Sequence, residues 1–116
     1  MHVLQKYKVT MAHVVPPIAI GMAKSAVVDK YDLSSIRSIF SGAAPLGKET
    51  EIELVQRIKC IVKQGYGMTE LSPGSHNTPN HRVVPGSVGI LLSNQEAKIV
   101  DPTTGKELGI DEEGEL

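Results

Sequence analysis

Residues 35–70 read SIRSIFSGAAPLGKETEIELVQRIKCIVKQGYGMTE, and the alternation of patterns in this stretch decides the fold. Ser35–Phe40 and Cys60–Gln64 are short and rich in apolar residues, which predicts two buried strands. Residues 48–58 have apolar side chains at helical spacing, with acidic residues early and basic residues late, as the helix dipole favours. The stretch therefore predicts strand, helix and strand. The predicted apolar face of the helix comprises Ile52, Leu54, Val55 and Ile58, and the early acids are Glu49, Glu51 and Glu53.

The residues before this stretch extend the same alternation. Lys8–His13 predicts a strand that stops at Pro16 and Pro17, and residues 17–31 predict a well-buried helix. Strands joined by helical crossovers are expected to be parallel, so their carboxyl ends share one edge of the sheet. Open α/β sheets bind ligands at that edge. We therefore expect three loops to meet there, 13–16, 41–45 and 64–70.

The remaining residues change in character. Residues 71–85 are rich in Ser, Pro, Asn and Gly and predict a long loop. The predicted fold class is α/β: a parallel strand-helix-strand layer from Met1 to Glu70, followed by a small antiparallel β unit, together forming a partial domain. Short strands are predicted at 86–92, 96–101 and 106–108, with a turn at 102–105. We place the α/β part at 1–75, the loop at 76–85 and the antiparallel part at 86–116.

Composition excludes several classes of protein. The 116 residues include 12 Lys and Arg against 13 Asp and Glu, so there is no basic surplus for nucleic acid to recognise. The longest uncharged run, Val9–Ala23, contains two prolines and is too short to cross a bilayer, and the N-terminal residues lack the pattern of a secretory signal. Cys60 is the only cysteine, which excludes an internal disulfide and a cysteine-rich zinc site.

The heptad QGYGMTE, residues 64–70, is the most informative motif. Glycines on both sides of Tyr66 let the backbone approach a flat or charged ligand closely. Thr69 offers a hydroxyl for a phosphate oxygen, and Glu70 offers a carboxylate of the kind that holds Mg²⁺ beside phosphates. The same pattern also fits a glycine-lined turn with a packed tyrosine and a surface Thr-Glu pair, and the heptad alone leaves both readings open.

A second motif, SGAAPLG at 41–47, follows the predicted strand at 35–40. Its small side chains would expose backbone groups to the edge of a planar ring such as adenine. The alternative is a tight strand-to-helix connection that simply needs small residues. The two motifs support each other because the crossover argument places them side by side.

Other signatures of catalysis are absent. Gly65 and Gly67 lack the third glycine of a dinucleotide-binding fingerprint, and there is no phosphate-binding GxxxxGK[ST] loop or GxSxG nucleophile elbow. His76 and His81 lie in a polar segment without a third ligand nearby, so they are better explained as surface histidines than as a zinc site. Cys60 lies in a predicted strand, where a buried thiol is inert.

Together these residues resemble the adenylate-forming superfamily of acyl-CoA synthetases, 4-coumarate–CoA ligases and firefly-type luciferases. The heptad at 64–70 resembles the family's adenine and Mg-ATP motif, and residues 41–47 resemble its adenine-flanking turn. Tyr7–Ile18 and Tyr31–Ile39 are similar to the stretch that precedes these motifs in the coumarate-ligase and luciferase branch, and Gly114–Leu116 resembles the opening of a later segment. The resemblance spans nearly the whole chain.

The resemblance implies ATP or AMP and Mg²⁺ as ligands, a small-molecule carboxylic acid as substrate and coenzyme A as co-substrate. Thr69 and Glu70 would be catalytic, with Thr69 at the α-phosphate and Glu70 holding the metal. The implied nucleotide-binding residues are Gly42, Ala43, Ala44, Gln64, Gly65, Tyr66, Gly67, Met68 and Thr69. The implied acyl-pocket residues are Val14, Val15, Pro16, Pro73 and Gly74.

The sequence lacks other parts that the family uses, namely the phosphate loop with its lysine, the ribose-binding aspartate, the arginine and the C-terminal lid with its catalytic lysine. We therefore expect a central fragment of an intracellular ligase, cytoplasmic or peroxisomal, which is inactive alone and self-associates through exposed strand edges. The resemblance leaves two rivals: a truncated relative that binds nucleotide or protein without reacting, and an α/β fragment without a selected function.

Overall fold

The computed structural model describes residues 1–116, and its first half is a three-stranded parallel sheet. The strands are β1 (Met11–Val14), β2 (Ser38–Ser41) and β3 (Ile61–Gly67). β1 pairs with β2 and β2 with β3, both parallel, and Val14, Ser41 and Gln64 occupy neighbouring register positions. The predicted parallel layer is confirmed, and its three strands end at the same edge.

The core lies between one face of this sheet and two helices. The helices are α2 (Pro16–Lys24) and α3 (Lys48–Ile58), and a short α1 (His2–Lys6), which the sequence pattern did not predict, precedes β1. Ala12, Ile39 and Val62 are aligned across the three strands and are all buried, because side chains in register point to the same face. From the helices, Met22 and Leu54 are fully buried against this row.

The predicted helix at 17–31 is two elements. α2 ends at Lys24, Ser25 is extended, and a 3₁₀ helix follows at Ala26–Lys30. The Ser25 hydroxyl accepts a hydrogen bond from the N–H of Val27 at 3.3 Å, and such local bonds compete with helix continuation. The expectation of a well-buried helix is also too broad, since Ile18 and Ile20 on α2 are exposed.

α3 matches its predicted bounds, but its buried face differs. Glu51 and Leu54 are buried and Ile58 is half-buried, whereas Ile52 and Val55 are exposed. The helix ends where Lys59 adopts a left-handed conformation with φ 58°, and its N–H bonds the carbonyl of Val55. This single residue turns the chain into Cys60 and β3.

The sheet continues with two antiparallel strands, β4 (Gly74–Asn77) and β5 (Ile90–Leu91), in the order β1-β2-β3-β4-β5. β4 pairs with the end of β3, so part of the predicted loop at 71–85 is a strand, and β3 itself extends into the predicted loop at 64–70. The strand predicted at 86–92 is only Ile90–Leu91, and those predicted at 96–101 and 106–108 reduce to isolated pairs of Val100 with Glu107 and Glu115. The α/β class with an antiparallel extension is confirmed. No helix has the length and apolar character that crossing a membrane requires.

Candidate functional site

A cavity of about 220 Å³ opens at the carboxyl edge of the parallel strands. One wall is the turn after β2, residues 43–46, and the other is the end of β3, residues 64–67. Gly86 and Val88 form a third wall. The two glycine-bearing motifs of the sequence therefore face a common cavity.

The side chain of Gln64 joins the two main walls. Its amide oxygen accepts from the N–H of Leu46 at 2.8 Å, and its amide nitrogen donates to the Leu46 carbonyl at 2.8 Å. The hydroxyl of Thr78 donates to the backbone carbonyl of Gln64 at 2.9 Å. Because Gln64 is only 3% exposed, these bonds are shielded from water, and they hold the 43–46 turn against β3.

The glycines of the heptad are required by close packing. A Cβ on Gly65 would lie 2.7 Å from the Phe40 ring and 2.9 Å from the carbonyl oxygen of His76. A Cβ on Gly67 would overlap the carbonyl oxygen of Pro73. Neither residue can be larger without displacing β4 or the Phe40 ring, so the wall stays free of side chains at both positions.

The alanines of the other wall have backbone groups that the chain leaves free. Ala43 and Ala44 take part in no backbone hydrogen bond, and no side chain bonds to them, whereas the preceding Gly42 donates its N–H to Val14 at 3.2 Å. Ala43 adopts φ 71°, a left-handed conformation that an alanine enters only at a cost in energy. Such strain is typical of ligand-binding turns. The free amide and carbonyl groups suit the edge of a polar ring.

Tyr66 separates this cavity from a second one of about 500 Å³. Its ring meets the His76 ring edge-on with the centroids 6.1 Å apart. Met68 lines the second cavity only, together with Ser75, His76 and residues 95–98. Of the predicted nucleotide-binding residues, Met68 therefore lies on the far side of Tyr66 from the smaller cavity.

Thr69 and Glu70 lie in an exposed 3₁₀ turn at Thr69–Leu71, beyond the lining of the smaller cavity. No group of three or more His, Cys, Asp or Glu side chains is arranged to hold a metal ion. Mg²⁺ beside nucleotide phosphates needs only one or two carboxylates, since phosphates and water complete its shell. The single exposed carboxylate of Glu70 and the neighbouring hydroxyl fit that mode.

The predicted acyl-pocket residues form two groups, one at the junction of β1 and α2 and one at the start of β4. Val14 and Val15 line a shallow surface depression with His13 and Ile18, and Pro16 is buried at the start of α2. Pro73 is exposed, and the carbonyl of Gly74 at the start of β4 accepts from the Gln95 side chain at 2.9 Å. The two groups lie at the end of β1 and the start of β4, strands that are separated in the sheet by β2 and β3.

Sequence reasoning missed Glu51 and Gly86. The Glu51 carboxylate is 2% exposed and accepts the N–H of Gly86, while its other oxygen has no partner. Burial raises the pKa of the Glu51 carboxyl above its ordinary value, against the opposing effects of the Gly86 N–H and the Gln64 side chain. A usable signal was the spacing of Glu51 to Leu54 and Ile58, which places all three on one helical face.

Comparison with known proteins identifies the family. The model of the family described as AMP-binding enzyme matches residues 1–116. The chain belongs to the AMP-binding enzyme family. A protein of Dictyostelium discoideum named "Probable 4-coumarate–CoA ligase 1" is 53% identical over 118 residues, which cover all of this chain and 21% of that protein. The chain thus spans about a fifth of the length of this relative.

Solved structures agree with the assignment to the AMP-binding family. The anthranilate CoA ligase AuaEII in complex with anthranoyl-AMP matches with a TM-score of 0.83 and 23% identity, over 91% of this chain and 20% of that one. The ATP-bound RpMatB-BxBclM chimera B3 matches with a TM-score of 0.81 and 32% identity, over 95% of this chain and 22% of that one. These likenesses show that the chain has the adenylate-forming fold.

Proposed function

We propose that residues 1–116 form the adenine-binding part of an ATP-dependent acid–CoA ligase. In the first step a carboxylate oxygen attacks the α-phosphorus of ATP, giving an acyl-adenylate and releasing pyrophosphate. In the second, the thiol of coenzyme A displaces AMP from the acyl group. The observation that carries the proposal is the cavity shared by residues 43–46 and 64–67.

Adenine enters between the two main walls of the cavity. The free backbone groups of Ala43 and Ala44 meet the polar edge of the ring, and Tyr66 offers its flat face. Gly65 and Gly67 contribute backbone without bulk, Gly42 directly precedes the 43–46 wall, and the Gln64 side chain bonds the two walls together. The hydrogen-bonding groups and the shape of the cavity are set in advance, which is how proteins position a nucleotide for reaction.

Phosphate chemistry takes place outside the cavity, toward the exposed turn. Thr69 would bind an α-phosphate oxygen, and Glu70 would hold Mg²⁺, which would supply positive charge beside the phosphates. Met68 lies at the entrance to the second cavity, on the side of Tyr66 away from adenine. The acyl group is a small-molecule carboxylic acid, and Val14–Pro16 with Pro73 and Gly74 remain its proposed neighbours.

A second candidate is a module that binds nucleotide or a protein without turnover. It is favoured by the position of Thr69 and Glu70 on an exposed turn, where Glu70 takes part in none of the three salt bridges of the chain. On either reading we expect the isolated chain to be catalytically inactive, because one carboxylate and one hydroxyl cannot position three phosphates and an acid.

Nucleotide binding by the 116-residue chain tests the proposal. Calorimetry with AMP and with GMP should show binding that prefers adenine. Ala44→Leu fills the cavity and should weaken AMP binding at least about tenfold. Ala97→Leu, an exposed position in the second cavity, is the matched control and should leave AMP binding unchanged. Equal binding of AMP by wild type and Ala44→Leu would contradict the adenine site.

Turnover is tested in a complete enzyme. Residues 1–116 replace the matching 118 residues of the Dictyostelium relative, and ATP-pyrophosphate exchange is measured with a panel of carboxylic acids. Acid-dependent exchange supports the ligase. AMP binding without exchange in a folded chimera would favour the non-catalytic module.

A further inference from the structure

The buried carboxylate of Glu51 connects three parts of the fold. It lies in the first turns of α3 and accepts the N–H of Gly86, a residue 35 positions further along the chain. Gly86 is a cavity wall, as are Gln64 and the turn that precedes α3. The bond therefore ties the third wall to the helix that follows the first wall.

Glu51 has no cation near enough to form an ion pair, since the three salt bridges of the chain involve other acids. A carboxylate that is 2% exposed and unpaired costs stability, and an apolar side chain would pack there more favourably. Its second oxygen makes no hydrogen bond of normal geometry, and the Gln64 side chain is the other polar group that acts on the carboxyl. A helix that needed only a core residue would not have a glutamate at this position.

The segment that Glu51 holds, residues 86–89, is also anchored at its C-terminal end. Gly89 has φ 94°, and a Cβ there would overlap the carbonyl of Asn77, so this end is seated against β4. At the near end Gly86 has φ 86°, and a Cβ would lie 3.3 Å from Cβ of Lys48. Between these two anchors Val88 lines the cavity. Without the bond to Glu51, the near end would be held only by packing.

We propose that Glu51 is a positioning residue for the nucleotide cavity: by accepting the N–H of Gly86 it holds residues 86–88 as the wall that closes on adenine. This inference rests on the proposed function. Glu51 itself touches no ligand, and it acts through Gly86 and Val88. An apolar residue at position 51 would preserve the core, but it could not accept the N–H of Gly86 and would not hold residues 86–88 in place.

Three substitutions in the 116-residue chain separate positioning from packing. Glu51→Met keeps the size of the side chain and removes the acceptor. Glu51→Gln keeps an oxygen for Gly86 and rescues the bond. Ile58→Val removes a methylene group on the same face of α3 and should lower stability without changing the bond to Gly86. Glu53→Met is a control on the exposed face of the helix. All are measured at a temperature at which each variant is folded.

Two readouts are taken from each variant. Amide hydrogen exchange at Gly86 measures whether its N–H is still bonded to residue 51. The affinity for AMP measures whether residues 86–88 still form the third wall of the cavity. Glu51→Met should accelerate Gly86 exchange and raise the Kd for AMP at least about tenfold, the effect of losing one hydrogen bond to a charged group. Glu51→Gln, Ile58→Val and Glu53→Met should stay within about twofold of wild type.

The outcomes distinguish the two proposals. Faster Gly86 exchange in Glu51→Met with unchanged AMP affinity would overturn the positioning role, and so would an equal loss of affinity in Ile58→Val. Unchanged exchange would show that the bond does not hold the segment. A wild-type chain that protects Gly86 but binds no AMP would overturn the proposed function, and the positioning role with it.

Discussion

Glu51 occupies a position where the amphipathic pattern of α3 calls for an apolar side chain. Because burial raises its pKa above 4.5, the folded chain binds the proton more tightly than the unfolded chain. The stabilising contribution of protonation is present below that ordinary value and is lost as pH rises through the raised pKa. The free energy of unfolding should therefore fall over this interval.

Glu51→Gln removes that titration. Its unfolding free energy relative to wild type should increase as pH is raised from about 4 to about 8. Urea denaturation at intervals across this range measures the difference, with Ile58→Val, which removes no ionisable group, as a control that should run parallel to wild type. If Glu51→Gln also ran parallel, the carboxyl would not titrate abnormally.

Cys60, the other buried ionisable group, has its pKa raised by burial to about 11, in keeping with an inert thiol.

Among the elements, the contact between α2 and α3 depends on Arg57. Its guanidinium donates to the carbonyls of Ala23 at 2.7 Å and Ser25 at 2.9 Å, at the end of α2, and to the Asp29 carboxylate at 2.6 Å in the 3₁₀ helix. Terminal helix carbonyls need such partners. The Arg57 side chain thus donates hydrogen bonds to the carbonyl groups that are left free where the predicted long helix is interrupted.

Arg57→Lys keeps the charge but cannot reach all three acceptors. We expect a loss of about 2 kcal/mol in unfolding free energy, since hydrogen bonds to charged groups are strong and the fork geometry is not replaceable. Chemical denaturation measures it. Glu53→Gln breaks only the exposed contact with Lys24 at 3.9 Å and should change stability by less than about 0.5 kcal/mol. Comparable losses in the two variants would contradict a special role for Arg57.

The whole molecule is more open than its length predicts. Its accessible surface is 8090 Å², against about 6,200 Å² for a compact monomer of this size. Its radius of gyration is 16.3 Å, against about 13 Å. Apolar side chains on α2 and α3 contribute to this surface, including Ile18, Ile20, Ile52 and Val55. These values suit a chain that spans a fifth of its relative's length.

We expect the isolated chain to self-associate through this apolar surface. Light scattering across a concentration series should show mass increasing above that of a monomer. The double variant Ile18→Lys, Ile52→Lys should reduce association, whereas Ile110→Lys, at a residue exposed by 94% near the C-terminus, should not. A wild-type chain that stays monomeric throughout the series would contradict the expectation.

Local pattern was sufficient for the parallel layer. Alternation of short apolar runs with an amphipathic helix is a property of neighbouring residues, and crossover geometry then placed Ser41 and Gln64 at one edge. The same reasoning predicted that loops 13–16, 41–45 and 64–70 meet at that edge. Residues 43–46 and 64–67 share a cavity there, whereas residues 13–15 line a separate depression. The role of Thr69 and Glu70 and the acyl-pocket residues stay predictions.

Other features depend on partners far along the chain. β4 is polar and carries no strand pattern of its own, and it forms because the end of β3 offers an edge to pair with. Glu51 looks like any early helix acid until Gly86 is packed against it. Helical and strand periodicity is a property of neighbouring residues, whereas burial and long-range hydrogen bonds form only when distant segments pack together. The amino-acid sequence by itself therefore determines the parallel layer and contains the family motifs. The third wall of the cavity is formed only by tertiary packing.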